Sequence, residues 1–195
     1  MGGHALEKNQ MTPDEYLQFE RCSEIRHEYF NGEIFAMTGG SLNHNRISRN
    51  IVRLLGNELK GSPCENFAGD MRVKIKENGK YTYPDIVVAC GNMELENING
   101  VETLLNPMVI MEILSKSTEA YDRGEKFRHF RLIPSLQEYI LVSQNCCMIE
   151  KYGRGDSGIW QIFNPFTDMD RIVIIDSINC ELLMSEIYYR VEFEA

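Results

Sequence analysis

The stretch Met108-Val109-Ile110-Met111-Glu112-Ile113-Leu114 is apolar at every position except Glu112. A run without period-two alternation reads as a central strand covered on both faces. Such a strand needs helices on either side, and the flanking sequence supplies two. Upstream, Asn43 to Lys60 places Ile47, Ile51, Leu54 and Leu55 on one helical stripe before Gly61-Ser62-Pro63 stops it. Downstream, Thr118 caps a helix that runs to about Ile133 and ends at Pro134-Ser135. Between them, Phe67 to Lys76 and Tyr81 to Cys90 read as two strands joined at Asn78-Gly79. Glu138 to Val142, Cys147 to Tyr152 and Arg171 to Asp176 read as further strands of the same sheet. At the front, Thr12 caps a helix to about Glu20, with Pro13 in the first turn and Glu15 in capping-box position. Asn31-Gly32, between Ile25–Phe30 and Glu33–Met37, marks a hairpin. The expected fold is α/β: a mixed-sheet core flanked by helices, preceded by an N-terminal helix and a β-hairpin.

At 195 residues the chain fits one domain. We expect it to span 12–195, with 1–11 as a loose tail. Hydrophobic residues at 43% and charged residues at 25% place it among ordinary globular proteins. No apolar run approaches the ~20 residues of a membrane helix. The opening MGGHALEKNQ lacks the apolar core of a signal peptide, so a cytoplasmic location is expected. The six cysteines show no CxxC spacing and are expected to be free thiols. Vicinal Cys146-Cys147 should place one side chain on each sheet face. The net charge of −9 counts against a broadly adhesive surface for nucleic acid, while leaving room for a local basic patch.

Glu112 is the most informative residue. A buried carboxylate is paired, binds a metal or is neutralised. The plainer reading is a strand-end glutamate reaching solvent or a structural arginine. Asp85 follows Pro84 at the entrance of the Ile86-Val87-Val88 run, where proline is tolerated at a strand's first residue. By itself it reads as a turn. With Glu112 on the next strand, the two can converge on one hard cation, Mg²⁺ or Mn²⁺. Lys126 shares a helical stripe with Asp122, Phe130 and Ile133, so it either faces the sheet or snorkels to water.

Arg46, Arg49 and Arg53 line one helix, and Lys116, Arg123, Lys126, Arg128 and Arg131 crowd another stretch. Either set could grip phosphates, or form a solvated face paired with Glu119, Asp122 or Glu125. Secondary candidates are His44 at the first core helix, Glu33 after the hairpin turn, and Asp70, which alternatively pairs with Arg72. No Ser-His-Asp arrangement, P-loop or GxGxxG is present, so acyl transfer and nucleotide binding lack support.

Arg26-His27-Glu28-Tyr29, Asn31-Gly32-Glu33-Ile34, His44-Asn45-Arg46-Ile47, Asp70-Met71-Arg72-Val73, Tyr83-Pro84-Asp85, Glu112-Ile113-Leu114-Ser115, Tyr121-Asp122-Arg123-Gly124-Glu125-Lys126 and Glu138-Tyr139 together resemble the Uma-two family of restriction endonucleases. This is a branch of the PD-(D/E)XK nuclease superfamily. The resemblance runs from about Thr12 to Trp160. It implies a restriction-endonuclease-like fold and Mg²⁺-dependent hydrolysis of phosphodiester bonds. Asp85 matches the Pro-Asp carboxylate and Glu112 the second carboxylate. The superfamily's lysine two residues after the glutamate is Leu114 here, and the matching lysine is Lys126 on the following helix.

The expected function is therefore a metal-dependent endonuclease acting on nucleic acid, with DNA the expected polymer. Its expected catalytic residues are Asp85, Glu112 and Lys126, its metal ligands Asp85 and Glu112, and its phosphate-binding residues Arg46, Arg49, Arg53, Lys116 and Arg123. The alternative is a catalytically silent nucleic-acid-binding or regulatory module of the same fold. A metal hydrolase acting on small phosphate esters is a third reading. The apolar and aromatic segment Glu181 to Phe193 either forms a homodimer interface or covers the core.

Overall fold

A computed structural model describes residues 10–98 and 100–193. Most of the tail expected at 1–11 lies outside these residues, but Met11 is anchored. Its N–H donates to the Gly32 carbonyl at 2.9 Å and its own carbonyl accepts from the Tyr29 hydroxyl at 2.8 Å.

Helix α1 (Pro13–Cys22) starts on the expected capping box: Thr12 N–H meets Glu15 Oε2 at 2.7 Å while Glu15 N–H meets Thr12 Oγ1. Strands β1 (His27–Phe30) and β2 (Glu33–Ala36) form the hairpin. Asn31 and Gly32 carry φ of 50° and 86°, the left-handed pair of a tight primed turn. Helix α2 (Leu42–Glu58) follows, its N-cap Ser41 accepting from His44 N–H at 3.1 Å.

The next two strands differ from expectation in an informative way. Phe67 to Lys76 is not one strand but β3 (Cys64–Ala68) and β4 (Val73–Ile75). Tyr81 to Cys90 likewise divides into β5 (Lys80–Thr82) and β6 (Ile86–Cys90). β4 and β5 join the hairpin in one sheet, whereas β3 and β6 belong to another. Both segments cross between sheets, one at Gly69-Asp70 and the other at Tyr83-Pro84-Asp85. Pro84 has no N–H to give a ladder, which makes the second crossing natural.

A hairpin not anticipated from sequence, β7 (Leu95–Ile98) and β8 (Val101–Leu104), extends the first sheet, whose order is β2-β1-β5-β4-β8-β7. The second sheet is completed by β9 (Val109–Leu114), β10 (Glu138–Ser143), β11 (Ile149–Arg154) and β12 (Trp160–Ile162), in the order β12-β11-β10-β9-β6-β3. β9 and β10 run parallel, and the sheet's other pairs are antiparallel. Arg171 to Asp176 does not extend this sheet. It contains β13 (Ile172–Ile175), which, among the described residues, pairs only with β14 (Cys180–Leu183), ahead of the short helix α5 (Met184–Ile187).

Every residue of β9 is buried, as a strand covered on both faces requires. One face, Val109, Met111 and Ile113, packs with Ile47, Ile51 and Leu55 of α2 and with Leu182, Met184, Ile187 and Tyr188. The segment Glu181 to Phe193 thus helps cover the core. Full burial of a residue such as Ile51 contributes about 1.5–3 kcal/mol. The other face, Ile110 and Leu114, packs with Phe127, Phe130, Ile133 and Tyr139.

That second cover is not the continuous α-helix expected from Thr118. It consists of one α-helical turn, α3 (Glu119–Tyr121), a π-helical turn (Asp122–Lys126) and α4 (Phe127–Phe130). Thr118 makes no side-chain cap; its hydroxyl pairs instead with Ser115. Two cysteine expectations also fail. Cys64 and Cys90 face each other across β3 and β6 and are joined as a disulfide, a proximity that their separation of 26 residues did not reveal. Cys146 and Cys147 precede β11, in the bend after β10, so they do not alternate across a strand. No helix among the described residues is long and apolar enough to cross a membrane.

Candidate active site

Asp85 sits at the crossing point between the two sheets, immediately before β6. Its Oδ2 accepts the Ile113 N–H at 2.7 Å, and its Oδ1 lies 3.1 Å from His44 Nε2. Asp85 N–H in turn points to Glu112 Oε2 at 3.4 Å. The two carboxylates are thereby locked to each other's backbone. His44 is delivered by the first turn of α2, on the opposite face of the sheet from the π turn.

Glu112 is 3% exposed. Lys126 Nζ reaches it from the π turn, 2.8 Å from Oε1. Glu112 Oε1 is buried, and the Lys126 ammonium is its charged partner. Lys126 Nζ also lies 3.6 Å from Asp122 Oδ1 and 3.7 Å from Glu28 Oε1. Asp122 and Lys126 lie four residues apart on this turn, so both face inward. Tyr139, from β10, donates its hydroxyl to the Asp122 carbonyl at 3.0 Å and braces that turn.

Glu28 and Asp122 were not among the residues singled out as catalytic. Glu28 is buried on β1, hydrogen-bonded by the Thr82 hydroxyl and 3.4 Å from Lys80 Nζ. Lys80 also contacts the Tyr121 hydroxyl. Glu28 lies in the mixed run His27-Glu28-Tyr29-Phe30, which carries no signal like the apolar frame around Glu112. Asp122 was visible as the i−4 neighbour of Lys126. Lys80, beside the Asn78-Gly79 turn, reads as an ordinary turn residue.

Four carboxylates therefore converge on few cations, and their protonation reflects it. Burial pushes Glu112 well above the ordinary glutamate value; Lys126 opposes this, while Asp85 and Asp122 add to it. Asp122 is also raised, by burial foremost. Burial acts to lower Lys126, but Glu112, Glu28 and Asp122 outweigh it and hold the lysine well above its usual value, as a cation. Burial would raise Asp85, yet the His44 hydrogen bond and charge, with Lys126 and the Ile113 N–H, carry it below normal. Burial would lower His44, and Asp85 raises it instead.

The other sequence candidates lie elsewhere. Glu33 is exposed on β2. Asp70 has a side chain 87% exposed, paired with Arg26 at 3.4 Å rather than with Arg72. Arg72 is buried and donates to Thr103 Oγ1. Arg46 pairs with Glu192 and Arg53 with Glu186, while Arg49 donates to Asn50 Oδ1. Arg123 holds Glu119 and Glu150, and Lys116 is exposed.

Among the described residues, no three Asp, Glu, His or Cys side chains are grouped as a metal cage. What is present is an all-oxygen pair, Asp85 and Glu112, joined through backbone N–H groups and faced by Lys126. That donor set fits Mg²⁺, which binds through one or two carboxylates and completes its shell with water and substrate phosphate. It does not fit zinc or a soft metal.

A mixed sheet with carboxylates at a strand break and at a central strand, faced by a lysine-bearing helix, is a nuclease-like fold. Residues 13–183 match the Uma2 family model, described as "Putative restriction endonuclease", and the chain belongs to that family. It is 39% identical over 183 residues to "Uncharacterized protein slr1290" of Synechocystis sp. (strain PCC 6803), a match covering 94% of each chain. A second Synechocystis protein, "Uncharacterized protein sll1609", is 38% identical over 150 residues, 77% of this chain and 84% of that one. The fold matches a crystal structure titled a putative nuclease belonging to DUF820 from Anabaena variabilis. The TM-score is 0.73 at 20% identity, over 91% of this chain and 97% of that one.

Proposed function

We propose that the chain is a Mg²⁺- or Mn²⁺-dependent nuclease that hydrolyses phosphodiester bonds, with DNA as its substrate. The observation that carries this reading is the Asp85–Glu112 carboxylate pair, interlocked through the Ile113 and Asp85 N–H groups and faced by Lys126. Asp85 and Glu112 would hold the cation, which supplies an activated water and neutralises charge on the scissile phosphate.

The chain's own residues do the rest. The Ile113 N–H fixes the Asp85 carboxylate, and His44 holds its other oxygen. Lys126 is a cation, so its role is to place positive charge on the phosphate oxygens as charge develops. Glu28 and Asp122 keep the ammonium in place.

Plasmid cleavage with Mg²⁺ tests the assignment. Asp85→Ala and Glu112→Ala should each abolish cleavage; unchanged cleavage in either variant removes that residue from the reaction. One observation favours the silent-module reading: Lys126 and His44 already occupy the two carboxylates. A wild-type chain that binds DNA but never cuts it, with either cation, would establish that alternative.

A further inference from the structure

The reaction centre holds four carboxylates in a chain of net charge −9, and a polyanionic substrate is repelled by both. A nucleic-acid strand therefore needs a cationic handhold elsewhere. Many lysines and arginines here are already held by carboxylates. Lys74 sits on Glu96, Lys76 on Glu94, and Arg123 on Glu119 and Glu150.

A pocket of about 560 Å³ between α2 and the turn after α5 is different. It is lined by Arg49, Asn50, Arg53, Glu186, Tyr189 and Arg190. Among the described residues, Glu186 is the one carboxylate that lines it, and Arg53 takes it at 2.9 Å. Arg49 rests on an amide oxygen, Asn50 Oδ1, at 3.1 Å. Arg190 lies over the Tyr189 ring at 5.3 Å. Among the described residues, neither Arg49 nor Arg190 has a carboxylate partner, so the pocket keeps an excess of two positive charges.

The pocket is also built rather than incidental. Asn50 is 1% exposed and donates to the carbonyls of both Ile187 and Tyr189 at 2.9 Å. These bonds pin the C-terminal turn to α2. Arg190 has φ of 63°, a left-handed conformation that favours glycine. An arginine kept at such a position, facing a cationic cavity, is the kind of local strain that collects at binding sites.

We propose that this pocket seats backbone phosphates of the nucleic acid, away from the scissile bond, with Arg49 and Arg190 as the binding cations. The proposal rests on the nuclease reading for its choice of polyanion. Arg49 lies five residues beyond His44, roughly 7.5 Å along α2 and about 140° around it. A duplex turn of about 34 Å can bridge that distance from the reaction centre. The Tyr189 ring, half exposed, supplies a flat apolar wall beside the two guanidinium groups.

The test is the salt dependence of binding to a fluorescent duplex of about two helical turns, measured without divalent metal so that no cleavage occurs. The double variant Arg49→Ala/Arg190→Gly removes both charges, and the glycine suits the left-handed position. We expect affinity to fall about tenfold or more. The slope of log K against log salt should shrink by about 1.8, the value for two lost phosphate contacts at roughly 0.9 each. Lys76→Ala, whose ammonium sits on Glu94, should leave both unchanged. Wild-type affinity and slope in the double variant would overturn the pocket while leaving nuclease activity standing. A wild-type chain that binds no duplex would overturn the pocket too, and absence of metal-dependent cleavage would separately remove the nuclease reading. Loss of inorganic-phosphate competition with no loss of duplex affinity would assign the pocket to small anions and overturn it as a nucleic-acid site.

Discussion

Lys126 Nζ stands 2.8 Å from Glu112 Oε1, in a pair whose side chains are 9% and 4% exposed. Removing one partner of a buried pair strands the other's charge, at a cost of roughly 3–5 kcal/mol. Lys126→Met should therefore destabilise the fold by about that much at neutral pH. Lys126→Met/Glu112→Gln should recover a large part of the loss, because the stranded carboxylate is gone. Urea unfolding of the wild type and the variants measures the coupling; strictly additive losses would show that the contact carries no energy.

Glu112 binds its proton more tightly folded than unfolded, since burial holds it above its ordinary value of 4.5. A group raised in this way contributes stability that is complete below about its unfolded value and disappears as pH rises through the folded one. The neutral isostere Glu112→Gln escapes the cost of ionisation. It also leaves the Lys126 ammonium without that partner, so its stability falls below the wild type, but in metal-free buffer the deficit should be smaller at pH 8 than at pH 4.5, by ~2–4 °C if about 1 kcal/mol is released. A deficit that shrinks on acidification would contradict the assignment.

His44 and Asp85 form a pair with a bounded pH window. His44 is raised above 6.5, so its share is full below that value and lost as pH rises through the folded one. Asp85 is lowered below 3.8, so its share is full above that value and lost as pH falls through the folded one. Both contribute fully between about pH 4 and 6.5. A double-mutant cycle with His44→Ala and Asp85→Asn should give a coupling of about 1–2 kcal/mol at pH 6 and a much smaller one at pH 9. Equal coupling at the two pH values would mean that the pair acts as a neutral hydrogen bond.

A cation that binds only the folded chain must stabilise it. At one hundred times its dissociation constant, Mn²⁺ should add about 2.7 kcal/mol. Asp85→Asn and Glu112→Gln should each abolish that gain. A Mn²⁺ shift of wild-type size in both variants would place the ion elsewhere, independently of whether any bond is cut.

The architecture was legible where one chemical rule governed one element. The capping box at Thr12, the Asn31-Gly32 turn and the wholly apolar frame around Glu112 are local patterns, and each has its expected form. The division of two expected strands between sheets was not legible, because alternation continues across a crossing point and only Pro84 hinted at a break. Glu112 stood out because a carboxylate interrupts an apolar run, and Asp85 because it lies on the neighbouring strand. Glu28 and Lys80 did not, since their place beside Lys126 and Tyr121 depends on how the first sheet lies against the π turn. The helical-wheel argument for Lys126 placed it on the right side while misjudging the helix, which is π at that point.

That π turn gives the last prediction. Gly124 lies in its middle, exposed, with open space where a Cβ would project. Gly124→Ala should be tolerated and should stabilise the chain by roughly 0.4–1 kcal/mol through the unfolded state. Deleting Gly124 is a different operation. It removes one residue between Asp122 and Lys126, leaving them three apart instead of four. The rest of the helix is held by Phe127 and Phe130 against Tyr139, with ring centroids 5.3 and 5.6 Å away. The residues before the deletion must therefore rotate by about 100° relative to those after it. Asp122 then leaves Lys126, and the Tyr139 hydroxyl loses its carbonyl partner. The deletion variant should fold, with a lower melting temperature, and should cut DNA far more slowly than Gly124→Ala. If both variants cut at the wild-type rate, the π turn is a packing accident and Lys126 does not need it to reach Glu112.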